Sequence, residues 1–173
     1  PLLGGACPTD PIVSLLHVVE DGSTAEMAVA GNEGMLGWPQ FMGCETTSNR
    51  AIVRSAGHAY RLKSTLMKAE FDRSGAFQHL LLRYTQALLT QMAQTAACNR
   101  HHSLSQQLCC TLLVSLDRLP SNKLVLTQAL IAKMLGVRRE GVTDAAGKLQ
   151  KQGLMKYCHG HITVLDRPGL EKA

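Results

Sequence analysis

The pattern that most constrains this chain lies in residues 127–165, where two helix-forming stretches flank a glycine and a strand pattern follows. Thr127 can cap a first helix, because a threonine hydroxyl accepts a hydrogen bond from the free N–H groups of the first turn. Gly136 ends that helix at a position that favours the left-handed conformation. A second helix is expected over residues 138–152. Apolar residues recur at helical spacing on both stretches, so the sequence predicts two helices that pack together across a tight bend.

A β-hairpin is predicted directly after the second helix. Gly153 stops that helix, and short strands at residues 154–157 and 162–165 flank a turn at residues 158–161. Two helices joined by a tight bend and followed by a hairpin are typical of a winged helix-turn-helix domain, in which the hairpin is the wing. The bend leaves the second helix projecting, and a projecting helix fits the DNA major groove, which is about 12 Å wide.

The polar side chains of this motif are of the types that contact double-stranded DNA. Arginine can bind guanine O6 and N7 through two hydrogen bonds, and glutamate can accept one from cytosine N4. Lys148 and Lys151 lie further along the second helix, where contact with phosphate is expected, and two histidines lie at the wing tip. The alternative is a winged helix used for protein contacts, on which Arg138 and Arg139 are only solvated. The candidate DNA-binding residues are Thr127, Gln128, Arg138, Arg139, Glu140, Thr143, Asp144, Lys148, Lys151, His159 and His161.

Charge is divided unevenly along the chain. Residues 1–75 carry 6 Lys/Arg and 8 Asp/Glu, a net charge of −2, whereas residues 76–173 carry 12 and 5, a net charge of +7. A basic half beside a slightly acidic half indicates that one half binds a polyanion. Aromatic residues make up only 4% of the chain, which argues against a stacking platform for single-stranded nucleic acid. No Walker loop, GxSxG or HExxH motif occurs, so an enzyme is not expected.

Signals for membrane insertion, secretion and metal binding are weak in this sequence. No apolar run reaches the roughly 18 residues that span a bilayer, and no basic region followed by an apolar stretch opens the chain. The six cysteines include no CxxC pair, which favours reduced thiols in a cytoplasmic protein. Cys98, His101, His102 and Cys109 could form a zinc site, but the usual close ligand pairs are missing. We therefore expect neither a metal nor a membrane partner.

Short apolar runs separated by turn residues characterise the N-terminal part of the chain. Residues 1–11 are expected to be irregular, because Gly-Gly and three prolines fall within them. Apolar runs at residues 12–19, 25–30, 51–53 and 59–62 alternate with turn signals. Short strands at such close spacing predict an antiparallel roll or barrel.

Three helices are predicted between these strands and the C-terminal motif, over residues 64–72, 76–98 and 103–119. The middle helix is long, and its apolar stripe recurs at heptad spacing, so it can pair with its copy in a dimer. The alternative is a core helix packed inside one subunit. The candidate dimer-interface residues are Leu81, Tyr84, Thr85, Leu88, Met92 and Thr95.

Given these residues, the chain resembles the Crp/Fnr family of bacterial transcription regulators over about residues 12–165. The resemblance is strongest in the run LTQALIAKMLGVRREGVTDAAGKLQKQGL and extends to the long helix, HLLLRYTQALLTQMAQTAACNR. It implies an α+β fold with a partial antiparallel β-roll, like a cyclic-nucleotide-binding domain, at residues 1–75. A long dimerisation helix at 76–102 and a winged helix-turn-helix at 103–173 would follow. It further implies a transcription regulator that binds operator DNA as a homodimer, with RNA polymerase as another partner.

The resemblance also implies roles for single residues. Arg139 and Glu140 fall on the family's base-reading pair, whereas Asp144 stands where some members have a third base-reading arginine, so the operator should differ from theirs. In the sensor half, Glu33 and Arg50 are candidate effector-binding residues, but Arg50 lies one position from the family's phosphate-binding arginine. We therefore expect no cofactor and disfavour cyclic nucleotide. The chain is expected to begin inside the roll, and the alternative function is an interaction module or inactive truncated remnant that binds no specific DNA.

Overall fold

The computed structural model describes residues 4–44 and 49–173, and the chain divides into two compact units. The first unit comprises Pro1–His17 and Met27–Thr95, and the second comprises Val18–Glu26 and Ala96–Ala173. Helices and antiparallel strand pairs occur together, which confirms the predicted α+β class. In the described part of the chain, no helix is both long and apolar enough to cross a membrane.

In the described residues, five strands and a short 3₁₀ helix, Trp38–Gln40, precede the α-helices. β1 (Gly4–Pro8) pairs antiparallel with β5 (Ala59–Lys63). β2 (Val13–Val18) lies between β3 (Thr24–Ala30) and β4 (Asn49–Val53), and its pairing with β4 is antiparallel. The four apolar runs seen in the sequence therefore all contain a strand.

The expectation that residues 1–11 are irregular is wrong for β1. Gly4 lies opposite Lys63, and a Cβ added to Gly4 would collide with the carbonyl oxygen of Leu62. Glycine is needed here because the two backbones approach so closely. The composition of the segment suggested a turn, but its partner strand is more than fifty residues away along the chain, and no local signal reveals such a pairing.

Two helices follow β5, namely α1 (Ser64–Asp72) and α2 (Ala76–His101). One stripe of α2 packs against the strands and α1. Leu88 lies in a cluster with Val13, Leu15 and Leu36, and Leu81 lies in a cluster with Met67. The strands expose apolar faces that need a cover, and α2 supplies it inside the same unit.

This packing involves residues that the sequence predicted to form the dimer interface. Leu81, Thr85 and Leu88 are 5%, 8% and 3% exposed, so they are occupied by the chain's own core. The other three residues are half-buried, and the Tyr84 hydroxyl donates a hydrogen bond to the Met35 carbonyl at 3.0 Å. Heptad spacing identified an apolar stripe, but spacing cannot distinguish a partner helix from a neighbouring sheet. The role of the predicted set in a dimer stays a prediction; the set is Leu81, Tyr84, Thr85, Leu88, Met92 and Thr95.

The second unit holds four helices and a three-stranded sheet. Its helices are α3 (Leu104–Leu116), α4 (Gln128–Leu135), α5 (Arg139–Lys151) and α6 (Arg167–Lys172). Its strands are β6 (Lys123–Val125), β7 (Met155–Cys158) and β8 (His161–Val164), which pair antiparallel in the order β6-β8-β7. The predicted two helices and hairpin are confirmed. The sequence did not predict β6 and α6, because a three-residue strand and a one-and-a-half-turn helix carry almost no periodicity.

The core of this unit explains how α4 and α5 hold their positions. Ile131 and Met134 of α4 are buried, as are Val142, Ala145 and Leu149 of α5. α3 begins with a capping box, in which the Ser103 hydroxyl accepts from the Gln106 N–H and the Gln106 side chain accepts from the Ser103 N–H. The start of α3 is therefore fixed, and α3, α4 and α5 share an apolar interior.

The bend between α4 and α5 depends on one left-handed residue. Gly136 has φ 66° and ψ 33°, and the N–H groups of Gly136 and Val137 both donate to the Ala132 carbonyl. A side chain in this conformation crowds the backbone, so glycine is the residue that allows the sharp exit from α4.

We predict that Gly136→Ala lowers the free energy of unfolding by about 1–2 kcal/mol, because alanine is strained in the left-handed region. Gly147→Ala is the matched control, since Gly147 lies inside α5 and an added Cβ would meet nothing within 4 Å beyond the adjoining helix backbone. That change should leave stability equal or raise it by up to about 1 kcal/mol. Urea unfolding followed by circular dichroism measures both. Equal effects of the two changes would contradict the assigned role of Gly136.

Candidate nucleic-acid interface

The surface of α5 is divided sharply between an apolar and a polar side. Val142, Ala145, Ala146 and Leu149 are each at most 5% exposed and pack into the core of the second unit. The residues on the other side, together with the N-cap residue, have exposed side chains. A helix anchored along one side in this way presents the other as a rigid surface. The exposed residues are Arg138, Arg139, Glu140, Thr143, Asp144, Lys148 and Lys151.

The start of α5 is suited to an anion. Arg138 is the N-cap residue, with extended backbone angles and no hydrogen bond from its side chain to the first turn. N–H groups of a helix's first turn have no intrahelical partner, and the helix dipole favours negative charge there. Glu140 is an acidic residue in that turn, whereas Lys148 and Lys151 lie in the last turn. Four cations and two carboxylates therefore share this surface, which is positive overall.

Three of the predicted DNA-binding residues contact one another. The Gln128 side-chain carbonyl accepts a hydrogen bond from the Thr143 hydroxyl at 3.1 Å and a longer one from Arg139 Nε at 3.4 Å. The Thr143 hydroxyl also lies 3.1 Å from the Arg139 carbonyl oxygen, one turn earlier in α5. The structure thus brings Gln128 of α4 together with Arg139 and Thr143 of α5.

Thr127 caps α4, as the sequence predicted. Its hydroxyl accepts from the Leu130 N–H at 3.2 Å, and its backbone is extended. The Thr127 side chain remains exposed, so it borders the polar surface while it holds the helix end.

The wing is a tight hairpin made by β7 and β8. His159 and Gly160 connect the strands, and both have positive φ angles, 48° and 86°, as a type I′ turn requires. The Gly160 carbonyl accepts from the Leu126 N–H at 2.8 Å, which fixes the turn beside the start of α4. His159 and His161 are exposed at this end of the hairpin, as predicted.

Sequence reasoning missed a polar link between the wing and both helices. The Tyr157 hydroxyl accepts from the Gln128 N–H at 3.1 Å, and the Tyr157 N–H donates to the Gln150 side-chain carbonyl at 2.8 Å. Tyr157 could have indicated this link in the sequence, because a tyrosine hydroxyl that is half-buried needs a polar partner.

The two candidate effector-binding residues lie apart in the sheet order. Glu33 is exposed in the segment that follows β3, and Arg50 is exposed on β4 opposite Leu16. β2 separates β3 from β4, so these two elements form opposite edges of the three-stranded sheet. Among residues 4–44 and 49–173, no group of three His, Cys, Asp or Glu side chains could hold a metal ion. The assignment of Glu33 and Arg50 to an effector stays a prediction.

Comparison with known protein families identifies the C-terminal domain. Residues 106–173 match the family model of the Crp-like helix-turn-helix domain, and this range includes both helices of the bend and the wing. The chain contains a Crp-like helix-turn-helix domain, and its fold is that of solved Crp/Fnr-family regulators. The resemblance stated from the sequence is thereby confirmed. A comparison with curated proteins found no significant match.

Solved structures support the fold of the rest of the chain. A transcriptional regulator of the CRP/FNR family from Thermus thermophilus has a TM-score of 0.75 at 20% identity, covering 98% of this chain and 86% of its own. A CRP-family regulator from the same organism has a TM-score of 0.79 at 16% identity, covering 99% and 87%. The c-di-GMP-responsive global regulator CLP of Xanthomonas campestris has a TM-score of 0.72 at 14% identity, covering 95% and 85%. At these identities the likeness shows a shared fold.

Proposed function

We propose that this chain regulates transcription by binding operator DNA sequence-specifically as a homodimer, with α5 in the major groove. The observation that carries the proposal is the exposed, positive side of a helix whose opposite side is buried in a well-anchored core. Because DNA is its target, the protein acts in the compartment that holds the DNA, which for a regulator of this type is the cytoplasm.

The residues at the start of α5 read bases in this proposal. Arg139 lies in the first turn, where a recognition helix meets base edges, and its guanidinium fits guanine O6 and N7. Glu140 beside it is positioned to accept from cytosine N4. Asp144 lies one turn further along the same helix, where its charge disfavours close phosphate contact and restricts the base pairs that can face it.

Other residues bind the DNA backbone. Lys148 and Lys151 lie in the last turn of α5, away from the base-reading end, and their flexible ammonium groups suit phosphate. The first-turn N–H groups of α5 bind a second phosphate together with Arg138. His159 and His161 extend the contact along the backbone from the wing.

We place the dimer interface on the side of α2 that its own unit leaves exposed. Leu82 and Leu89 are 49% and 53% exposed and lie seven residues apart. With neighbouring exposed positions they form a stripe with alternating spacings of three and four, which is the spacing of a coiled coil. A two-fold axis through this contact would supply two copies of α5 for two DNA half-sites. The stripe is His79, Leu82, Gln86, Leu89 and Ala93.

The DNA-binding proposal predicts different effects for two α5 cations, after a preferred site has been selected from random DNA. Arg139→Ala should weaken binding to that site by about 1–3 kcal/mol and relax the choice of base at one position of each half-site. Lys151→Ala should weaken binding to every sequence alike and lower the slope of log K against log salt by about one. Fluorescence anisotropy titrations at several salt concentrations measure both quantities.

Two outcomes would contradict the assignment of base reading to Arg139 and phosphate binding to Lys151. If Arg139→Ala weakens binding to the selected site and to random DNA equally, Arg139 contacts phosphate only. If selection enriches no sequence and affinity for all DNA is low, the chain is an interaction module, and the proposed function is wrong.

The dimer proposal predicts that Leu89→Lys yields monomers, because a charge would be placed in an apolar helix contact. Leu80→Lys is the matched control, since Leu80 is also exposed, at 62%, and nine residues place it on the opposite side of α2 from Leu89. Sedimentation velocity of both variants gives the result. Dimers that persist in Leu89→Lys, or are lost only in Leu80→Lys, would exclude this interface.

A further inference from the structure

We propose that Gln128 is a positioning residue that orients the Arg139 guanidinium for one specific end-on contact with guanine. This inference deepens the proposed function and rests on it, because it assigns a role in base choice to a residue outside the recognition helix. Gln128 was predicted from the sequence to contact DNA itself. Its contacts within the protein indicate instead that it acts through Arg139 and Thr143.

The Gln128 amide has a direction that its neighbours set. Its oxygen faces Arg139 Nε, which can only donate a hydrogen bond, and the Thr143 hydroxyl, which can donate one. An amide turned the other way would place NH₂ against the Arg139 N–H group. The Thr143 hydroxyl has one hydrogen, which the Gln128 oxygen shares with the Arg139 carbonyl. The Arg139 N–H, which cannot accept, therefore selects the orientation in which the Gln128 oxygen faces it.

The hydrogen bond to Gln128 limits which donors of the Arg139 guanidinium are left for DNA. A guanidinium has five N–H donors, one on Nε and four on the two terminal nitrogens. Nε is directed to Gln128, so a two-bond contact through Nε and one terminal nitrogen is not available. Only the pair of terminal nitrogens can face guanine O6 and N7, and the plane of the group is held before DNA binds. Pre-orientation of this kind favours the correct partner, because less side-chain freedom is lost on binding.

Gln128 is itself held in place by hydrogen bonds. It is the first residue of α4, its backbone N–H donates to the Tyr157 hydroxyl, and that hydroxyl in turn lies 3.4 Å from the Leu126 carbonyl. Tyr157 is fixed to α5 through Gln150. The wing, the start of α4 and the start of α5 are thus joined by one series of hydrogen bonds, which ends at Arg139. Thr143 supports the same arrangement from within α5.

The test compares Gln128→Met with Gln128→Glu. Methionine matches the length of glutamine but removes the accepting oxygen, whereas glutamate keeps an acceptor for Arg139. The readout is discrimination, defined as the ratio of affinities for the selected site and for the same site with 7-deazaguanine at the position that Arg139→Ala relaxes. Gln128→Met should lower this ratio about 3- to 10-fold, the effect of one or two lost hydrogen bonds. Affinity for random DNA should change less than about 2-fold, since no phosphate contact is lost.

Gln128→Glu should preserve the discrimination ratio, even though its added negative charge weakens binding to all DNA. In an Arg139→Ala background, Gln128→Met should have no further effect on the ratio, because the residue through which it acts is gone. Thermal unfolding of each variant checks that the domain is folded.

The outcomes separate this inference from the proposed function. If the unmodified protein discriminates, Arg139→Ala abolishes that discrimination and Gln128→Met leaves it intact, then Gln128 does not position Arg139 although the chain reads DNA. If Gln128→Met lowers affinity further in the Arg139→Ala background, Gln128 contacts DNA directly. If the unmodified protein shows no preference for any sequence, the proposed function fails and this inference fails with it.

Discussion

The burial of one side of α5 against α3 and α4 is the constraint on which the DNA-binding surface depends. Val142, Ala145 and Leu149 are almost fully buried, so the helix cannot rotate about its axis without exposing them. Burial of such side chains contributes about 1.5–3 kcal/mol each for the larger ones. Ala145 and the neighbouring Ala146 are small, which lets the helices approach closely. The polar side of α5 is therefore fixed in direction by the apolar side, and its charges need no support of their own to face outwards.

Local hydrogen bonds then refine this arrangement. The left-handed Gly136 sets the exit from α4, the Thr127 cap sets its start, and the Gly160 carbonyl ties the wing to Leu126. Tyr157 and Gln128 connect these elements to Arg139. Each bond contributes about 1 kcal/mol or less. Together these hydrogen bonds orient the Arg139 guanidinium. Base choice depends on its position to within a fraction of an ångström.

The sequence predicted α4, α5 and the wing because each has a strong local signal. Thr127, Gly136 and the apolar positions of α5 act within a few residues of one another, and their pattern leaves few alternatives. β1 could not be predicted, because Gly4 pairs with Lys63 and only the folded chain brings them together. The buried side of α2 was likewise ambiguous, since an apolar stripe shows that Leu88 is covered but not by what. The contact of Gln128 with Arg139 required side-chain geometry that no spacing rule contains.

Dimethyl sulfate probing of the selected DNA site shows whether α5 lies in the major groove. The reagent methylates guanine N7 in the major groove and adenine N3 in the minor groove, so it reports which groove the protein occupies. With α5 in the major groove, we expect the protein to protect guanine N7 in two patches about 10 base pairs apart. Arg139→Ala should lose the protection of one guanine in each patch. Protection of adenine N3 with guanine N7 still reactive, or no protection at all, would show that α5 does not lie in the major groove.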